Sequence, residues 1–268
     1  MKISVITIVR NDINGLRRTV ESVISQNTSD FEYILIDGAS TDGCKEYIEA
    51  LDYPCKKISE PDSGIYNAMN KGVRMASGDY CIFMNAGDTF FDSCVISKAN
   101  VALDDGDIYI GHTIKVSLKD HRHKRYAIEN MTLRHLLVSS VYHQSTFTRT
   151  SLLRENPYRE DLRIVSDWAF FTEQWMKGAD YRPLNFFVSN SYVGGVSTQG
   201  AKAMEKEREQ VIEELLPNVR VRTAILPDDR KERKIAKALS KSSLLSRDWA
   251  LVRYGLRFFF SDLFGKNR

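Results

Sequence analysis

Apolar residues in the first ninety positions alternate between two rhythms. Short continuous runs, Met1–Val9, Phe31–Ile36 and Tyr80–Met84, read as strands covered on both faces. Between them apolar residues recur at helical spacing. Leu16, Val20, Val23 and Ile24 make one buried face, and Ile65, Ala68, Met69, Gly72, Val73 and Ala76 another. A helix to about Leu51 and a strand near Lys56–Ser59 complete the series. Asp37-Gly38-Ala39-Ser40-Thr41-Asp42-Gly43 is turn chemistry, Asp62 or Ser63 can cap the helix that follows, and Ser77-Gly78-Asp79 ends it. Strands alternating with helices in this way predict a parallel, right-handed βαβ sheet.

The rhythm changes after Met84. A helix near Asp92–Leu103 precedes two short runs, Asp107–Gly111 and Thr113–Leu118, which read as a hairpin or as strands of a mixed sheet. A basic loop, His121–Arg125, leads to a helix near Thr132–Val138, a strand around Ser145–Thr148, a helix opening at Ser166-Asp167-Trp168 and a strand over Leu184–Ser189. The expected fold is α/β: a Rossmann-like, mostly parallel sheet with helices on both faces, followed by C-terminal amphipathic helices. We divide it into a domain over 1–225, with a nucleotide-binding half (1–110) and an acceptor half (111–225), and a tail over 226–268.

Charge sharpens that division. The tail from Arg230 carries 11 Lys/Arg against 3 Asp/Glu, which leaves 27 against 32 in the rest, so an acidic body bears a basic end. Nucleic-acid binding fits this poorly, because the tail's aromatic residues sit in apolar clusters. No window reaches the ~18 apolar residues of a membrane span, and the amino terminus is too short and β-branched for a signal peptide. The four cysteines lack metal-ligand spacing and suit reduced thiols in a cytoplasmic compartment.

The chemistry lies at strand ends. The loop after the first strand, Asp37, Asp62 and Asp88 all follow parallel strands, and in open α/β sheets ligands bind beyond the carboxyl ends. A nucleotide needs hydrogen bonds to base and ribose, which carboxylates supply, and neutralisation of its diphosphate, which they supply only through a divalent cation. Asp88, in Asn85-Ala86-Gly87-Asp88, therefore implies Mn²⁺ or Mg²⁺. Asp167 opens a helix, where an aspartate is either a cap or a base that takes a proton from an acceptor hydroxyl. A dinucleotide oxidoreductase is excluded, since no G-x-G-x-x-G follows the first strand.

Four segments together carry a resemblance: Thr7-Ile8-Val9-Arg10-Asn11, the Asp37–Gly43 turn, the run from Ser59 to Asp88, and Ser166-Asp167-Trp168. They resemble family 2 glycosyltransferases of the GT-A fold, above all bacterial members that assemble O-antigen, capsule or exopolysaccharide. The likeness spans about residues 1–200, and His143-Gln144 and Gly194-Gly195-Val196-Ser197 also resemble segments of this group. It implies nucleotide contacts from Thr7, Val9, Asn11, Asp37, Ser40, Asp62, Gly64, Asn67, Asn85, Ala86 and His143, a cation on Asp88, and Asp167 as the base. Two departures stand out. Many members carry Asp-x-Asp-Asp where this chain has Asn85-Ala86-Gly87-Asp88, and Ala-Arg-Asn where it has Ala68-Met69-Asn70.

The resemblance makes the expected function inverting, metal-dependent transfer of a sugar from a nucleotide-diphosphate donor, with uridine the expected nucleoside, to a lipid-linked glycan acceptor. The rival is a non-catalytic nucleotide-sugar binding or scaffold protein of the same fold. The tail's Trp249, Phe258, Phe259, Phe260 and Phe264, set among Arg247, Arg253 and Arg257, suit a membrane surface, and packing on the body or on a second copy in a homodimer is the alternative. The expected location is peripheral, on the cytoplasmic face of the inner membrane.

Overall fold

Burial on both faces accounts for the apolar runs in a computed structural model that describes residues 2–193 and 201–217. Every residue of β1 (Ile3–Val9) and β2 (Phe31–Asp37) is buried, while the edge strand β3 (Lys56–Ser59) is mostly exposed, and β4 (Tyr80–Phe83) is again buried throughout. The four pair in parallel in the order β3-β2-β1-β4. Between them lie α1 (Ile13–Ile24), α2 (Cys44–Ala50) and α3 (Ile65–Met75).

Alternate residues of β1 feed two cores. Ile3, Val5 and Val9 pack with Leu16, Val20 and Val23 of α1, and Ile6 and Ile8 pack with Ala68, Met69 and Val73 of α3. Ile24 does not join its predicted face; it ends α1 and is largely exposed. Asp62 and Ser63 do not cap α3 either. The cap position is Gly64, with no side-chain bond, and both predicted cap residues are engaged elsewhere.

Beyond β4 the sheet is mixed. In chain order come β5 (Thr89–Phe90), α4 (Val95–Ala102), β6 (Ile108–Val116), β7 (Arg122–Arg125), α5 (Leu133–Val138), a 3₁₀ turn His143–Ser145, β8 (Thr146–Arg149), α6 (Thr150–Glu155), α7 (Ser166–Lys177), β9 (Tyr181–Tyr192) and α8 (Ala201–Leu215). The sheet continues β4-β8-β6-β9-β5, with β7 on the outer part of β6. Strand β8 runs antiparallel to β4, so the residues just before β8 lie at the carboxyl end of β4.

Two expectations are corrected here. The runs on either side of His112 are one strand, whose register with β9 shifts at Gly111 and His112, where a Cβ on Gly111 would fall 2.3 Å from Val188 Cγ2. The basic segment at 121–125 is not a loop: Arg122–Arg125 form β7, paired to β6 through Thr113–Val116. A third core, built from Leu133, Leu137, Val165, Trp168 and Val211, joins α5, α7 and α8.

All four cysteines are free thiols. Residues 226–268, where the amphipathic tail was expected, and Gly194–Ser197 lie outside the described residues. Among the described residues no helix is long and apolar enough to cross a membrane.

The approach of α3 to β1 depends on Gly72, whose added Cβ would sit 2.4 Å from Ile6 Cγ2. Gly72→Val should cost about 1–3 kcal/mol through overpacking. Urea unfolding measures it, and an unchanged midpoint would contradict this packing.

Candidate active site at the carboxyl edge of the sheet

The loops after β1 and β2 are strained and tied together. Asn11 and Ala39 both hold left-handed backbone, φ 54° and 56°, a conformation that costs an L-residue about 1–2 kcal/mol. The Asn11 amide N–H donates to Ser40 Oγ at 2.8 Å, and Asn11 Oδ1 accepts from the Thr41 N–H at 2.8 Å. Ser40 in turn donates its N–H to both oxygens of Asp37 at 3.2 Å, and Ser59 Oγ donates to Asp37 Oδ2 at 2.6 Å. Asp37 is fully buried, so in this structure it anchors the turn.

Asp62 stands over that turn. A Cβ on Gly38 would fall 2.7 Å from Asp62 Oδ2, and Asp62 Oδ1 receives Lys71 Nζ at 2.6 Å. Lys71 is therefore engaged by Asp62 and, at 2.9 Å, by Glu60. Val9 pairs with Asp37 at the end of the β1–β2 ladder. Thr7 faces inward, donating to the Met84 carbonyl at 2.8 Å and accepting from Tyr33 at 3.0 Å. Gly64 has open space around it, and Asn67 donates to Glu160 Oε2 at 2.8 Å.

At the end of β4 the Ala86 N–H donates to the Ile8 carbonyl, and the Gly87 carbonyl accepts two bonds, 3.0 and 2.9 Å, from Arg18, whose guanidinium stacks on Tyr192. Asp88 follows, with Oδ2 accepting from Gln144 Nε2 at 2.8 Å and Oδ1 from the Tyr192 N–H at 2.9 Å. Burial pushes its carboxyl above the usual range, opposed by those two donors and by the nearby charges of His143 and Arg18. Asn85 Nδ2 lies 3.1 Å from His143 Nε2, while its buried Oδ1 has no partner among the described residues.

Asp167 closes the set. It is the second residue of α7, whose cap position, Val165, makes no side-chain bond. Tyr66 Oη donates to Asp167 Oδ1 at 2.9 Å, and His143 Nδ1 is 2.8 Å from Oδ2. The two ring nitrogens of His143 thus lie between the Asn85 amide and the Asp167 carboxylate. Burial raises the Asp167 carboxyl, but the bond and charge of His143 and the bond from Tyr66 outweigh it and hold the group below the usual range. His143 and Gln144, neighbours in the chain, thus grip Asp167 and Asp88 respectively.

Whether these residues suit a divalent ion is decided by their oxygen donors. Among the described residues no cluster of three or more His, Cys, Asp or Glu could hold a metal ion. Asp88 and the orphaned Asn85 Oδ1 supply one carboxylate and one amide oxygen three positions apart in the chain. That set fits an ion delivered on a diphosphate, since Mg²⁺ is commonly held by one or two carboxylates together with substrate phosphates and water.

Several contributors were not read from the sequence. Tyr66 is not among the residues assigned to the apolar face of α3, Gln144 stands beside His143 in the sequence reading without a role, and Arg18 and Tyr192 carry no spacing signal. Glu160 accepts from Asn70 at 3.0 Å and from Asn67 and Ser63, binding α3 to the segment that precedes α7.

Comparison with known proteins gives a consistent result. The family model described as "Glycosyl transferase family 2" matches residues 4–160. An uncharacterized glycosyltransferase of Mycobacterium tuberculosis is 43% identical over 103 residues, covering 38% of this chain and 39% of that relative. The chain spans less than two thirds of the length of the first curated relatives it matches. Staphylococcus aureus TarS (1–349), solved in complex with UDP-GlcNAc, superposes with a TM-score of 0.60 at 17% identity, over 99% of this chain and 76% of the other. The mannosyltransferase PcManGT from Pyrobaculum calidifontis, solved with GDP-Man and Mn²⁺, does so with a TM-score of 0.60 at 14% identity, again over 99% and 76%. Both are likenesses of fold, the GT-A arrangement.

Asp167 owes its ionised state at mild acidity to its donors. Tyr66→Phe removes one of them, so carboxyl-carbon NMR titration should find Asp167 titrating at higher pH than in the wild type. An unmoved titration would contradict the assigned role of Tyr66.

Proposed function

The chain belongs to glycosyl transferase family 2, and on that premise we propose that it catalyses inverting, metal-assisted transfer of a sugar from a nucleotide-diphosphate donor, a uridine diphosphate sugar, to a hydroxyl of a lipid-linked glycan. One observation carries the reading: adjacent residues His143 and Gln144 bind two carboxylates, the partly buried Asp167 and the buried Asp88, respectively. Non-catalytic binding of a nucleotide sugar would need no second carboxylate kept ionised against burial.

Each group then has a task. Asn11, Ser40 and Asp62 face the nucleoside, with Asp37 fixing their loop from below. Asp88 and Asn85 hold Mn²⁺ or Mg²⁺, which when bound neutralises the leaving diphosphate. Asp167 lies on the acceptor side. It takes the acceptor hydroxyl's proton as oxygen attacks the anomeric carbon and the bond to the diphosphate oxygen breaks. His143 and Tyr66 keep its two oxygens aimed and ionised beforehand, so the site is arranged before substrate arrives.

The 1–110 half binds donor and the 111–225 half binds acceptor in this scheme. The basic tail brings the enzyme to the cytoplasmic face of the inner membrane, as a monomer or homodimer, where bacterial surface polysaccharide is assembled on lipid.

Turnover of a panel of uridine and guanosine diphosphate sugars, with and without Mn²⁺, tests this. Asp167→Asn should lower kcat by about 10²–10⁴-fold. Asp88→Ala should abolish the response to Mn²⁺, and a chelator should silence the wild type. Wild-type rates in both variants would refute the assignment.

A further inference from the structure

Helix α8 holds the chain on both sides of the His143–Asp167 contact. The residues leading into α7 carry backbone N–H groups that need acceptors, and the cap position of that helix supplies no side-chain bond. Glu207 of α8 meets the need from 42 to 44 positions away: its Oε1 accepts the Arg163 N–H at 2.9 Å, and its Oε2 accepts those of Ile164 at 2.9 Å and Val165 at 3.2 Å. One carboxylate thus gathers three consecutive backbone donors, and Asp167 follows two residues later.

Arg208, the next residue of α8, reaches the other partner. Its Nη2 donates at 2.6 Å to Ser140 Oγ, three residues ahead of His143, and its guanidinium lies 4.7 Å over the ring of Trp168, the residue after Asp167. Burial opposes the charge of Arg208, and the charge of Asp167 favours it. Neither Glu207 nor Arg208 is needed to dock the helix. Val211 is fully buried in the core shared with α5 and α7, and Glu214, further along α8, pairs with Arg159.

We propose that Glu207 and Arg208 are positioning residues for the His143–Asp167 pair, Glu207 fixing the backbone that delivers Asp167 and Arg208 fixing the stretch that delivers His143. Those two stretches meet through a side-chain contact of 2.8 Å, and a displacement of about 1 Å at either end would carry it beyond hydrogen-bond reach. Adjacent residues on one packed helix remove that freedom. The proposal rests on Asp167 being the base of the reaction.

Carbon-13 titration of the Asp167 carboxyl in the full chain, without substrate or metal, tests it, the resonance being identified by its loss in Asp167→Asn. Among the described residues, the titratable and charged groups that act on Asp167 are His143, Tyr66, Tyr158 and Arg208. Glu207→Ala changes none of them, yet it should raise the pH at which Asp167 titrates, because a displaced carboxylate loses the donors that keep it ionised. With a donor that the wild type turns over, kcat should fall about ten-fold or more and its acid limb should move to higher pH, while the donor KM stays near wild type. Glu207→Gln keeps one acceptor oxygen and should fall between the two, and it carries the same test if Glu207→Ala does not fold. Arg208→Lys keeps the charge but loses the planar stack, so it too should raise the Asp167 titration. Glu214→Gln loosens α8 at Arg159 and should lower the urea midpoint without moving Asp167. An unmoved titration in Glu207→Ala or Arg208→Lys would overturn the role of that residue, and an equal shift in Glu214→Gln would assign the effect to helix docking and overturn both. If Asp167→Asn keeps the wild-type rate while Glu207→Ala moves the titration, the base reading fails and the positioning stands; the opposite pattern keeps the base and removes the positioning.

Discussion

A carboxylate partly withdrawn from water is held ionised by donors that replace the lost water, and Asp167 has them in Tyr66 and His143. The three residues come from α7, α3 and the turn before β8, so the hydrogen bonds to one partly buried carboxylate tie three elements together. Glu160 strengthens the same junction by accepting from Asn67 and Asn70 of α3. Tyr158 adds to it, exchanging two backbone hydrogen bonds with the Asn70 amide.

The antiparallel turn of the sheet is what lets neighbouring residues bind both Asp167 and Asp88. Because β8 runs opposite to β4, its leading residues arrive beside the strand end where Asn85–Asp88 lie. His143 then reaches Asn85 and Asp167 while Gln144 reaches Asp88. A fully parallel sheet would have delivered those residues to the opposite edge.

The first half was legible in the sequence because its signals are local. Runs such as Phe31–Ile36 must be buried on both faces, and turn residues such as Asp37–Gly43 mark strand ends without knowledge of the rest of the fold. Strand β3 appeared where expected over Lys56–Ser59. The second half depends on long-range pairing. Arg122–Arg125 is a strand only because Thr113–Val116 lies beside it, and nothing in Arg-His-Lys-Arg announces a ladder. Helix α6, the two-residue β5 and helix α8 escaped notice for similar reasons of length or polarity. In the site, Asp167 and His143 were legible as types in a motif, but their bond was not, since 24 positions separate them. Tyr66 carried no signal of its own beside the apolar spacing of α3; its ring packs in the core and its hydroxyl donates to Asp167.

The central claim is that one edge of the sheet holds the donor with Asp167 on the acceptor side of the anomeric carbon. A crystal structure of the protein with an unhydrolysable uridine diphosphate sugar and Mn²⁺ addresses it most directly. The account predicts the nucleoside over the Asp37–Ser40 turn and Asp62, the ion on Asp88, and the Asp167 carboxylate facing the sugar opposite the diphosphate. Density for the nucleotide away from this edge, or Asp167 on the same side of the sugar as the diphosphate, would contradict it.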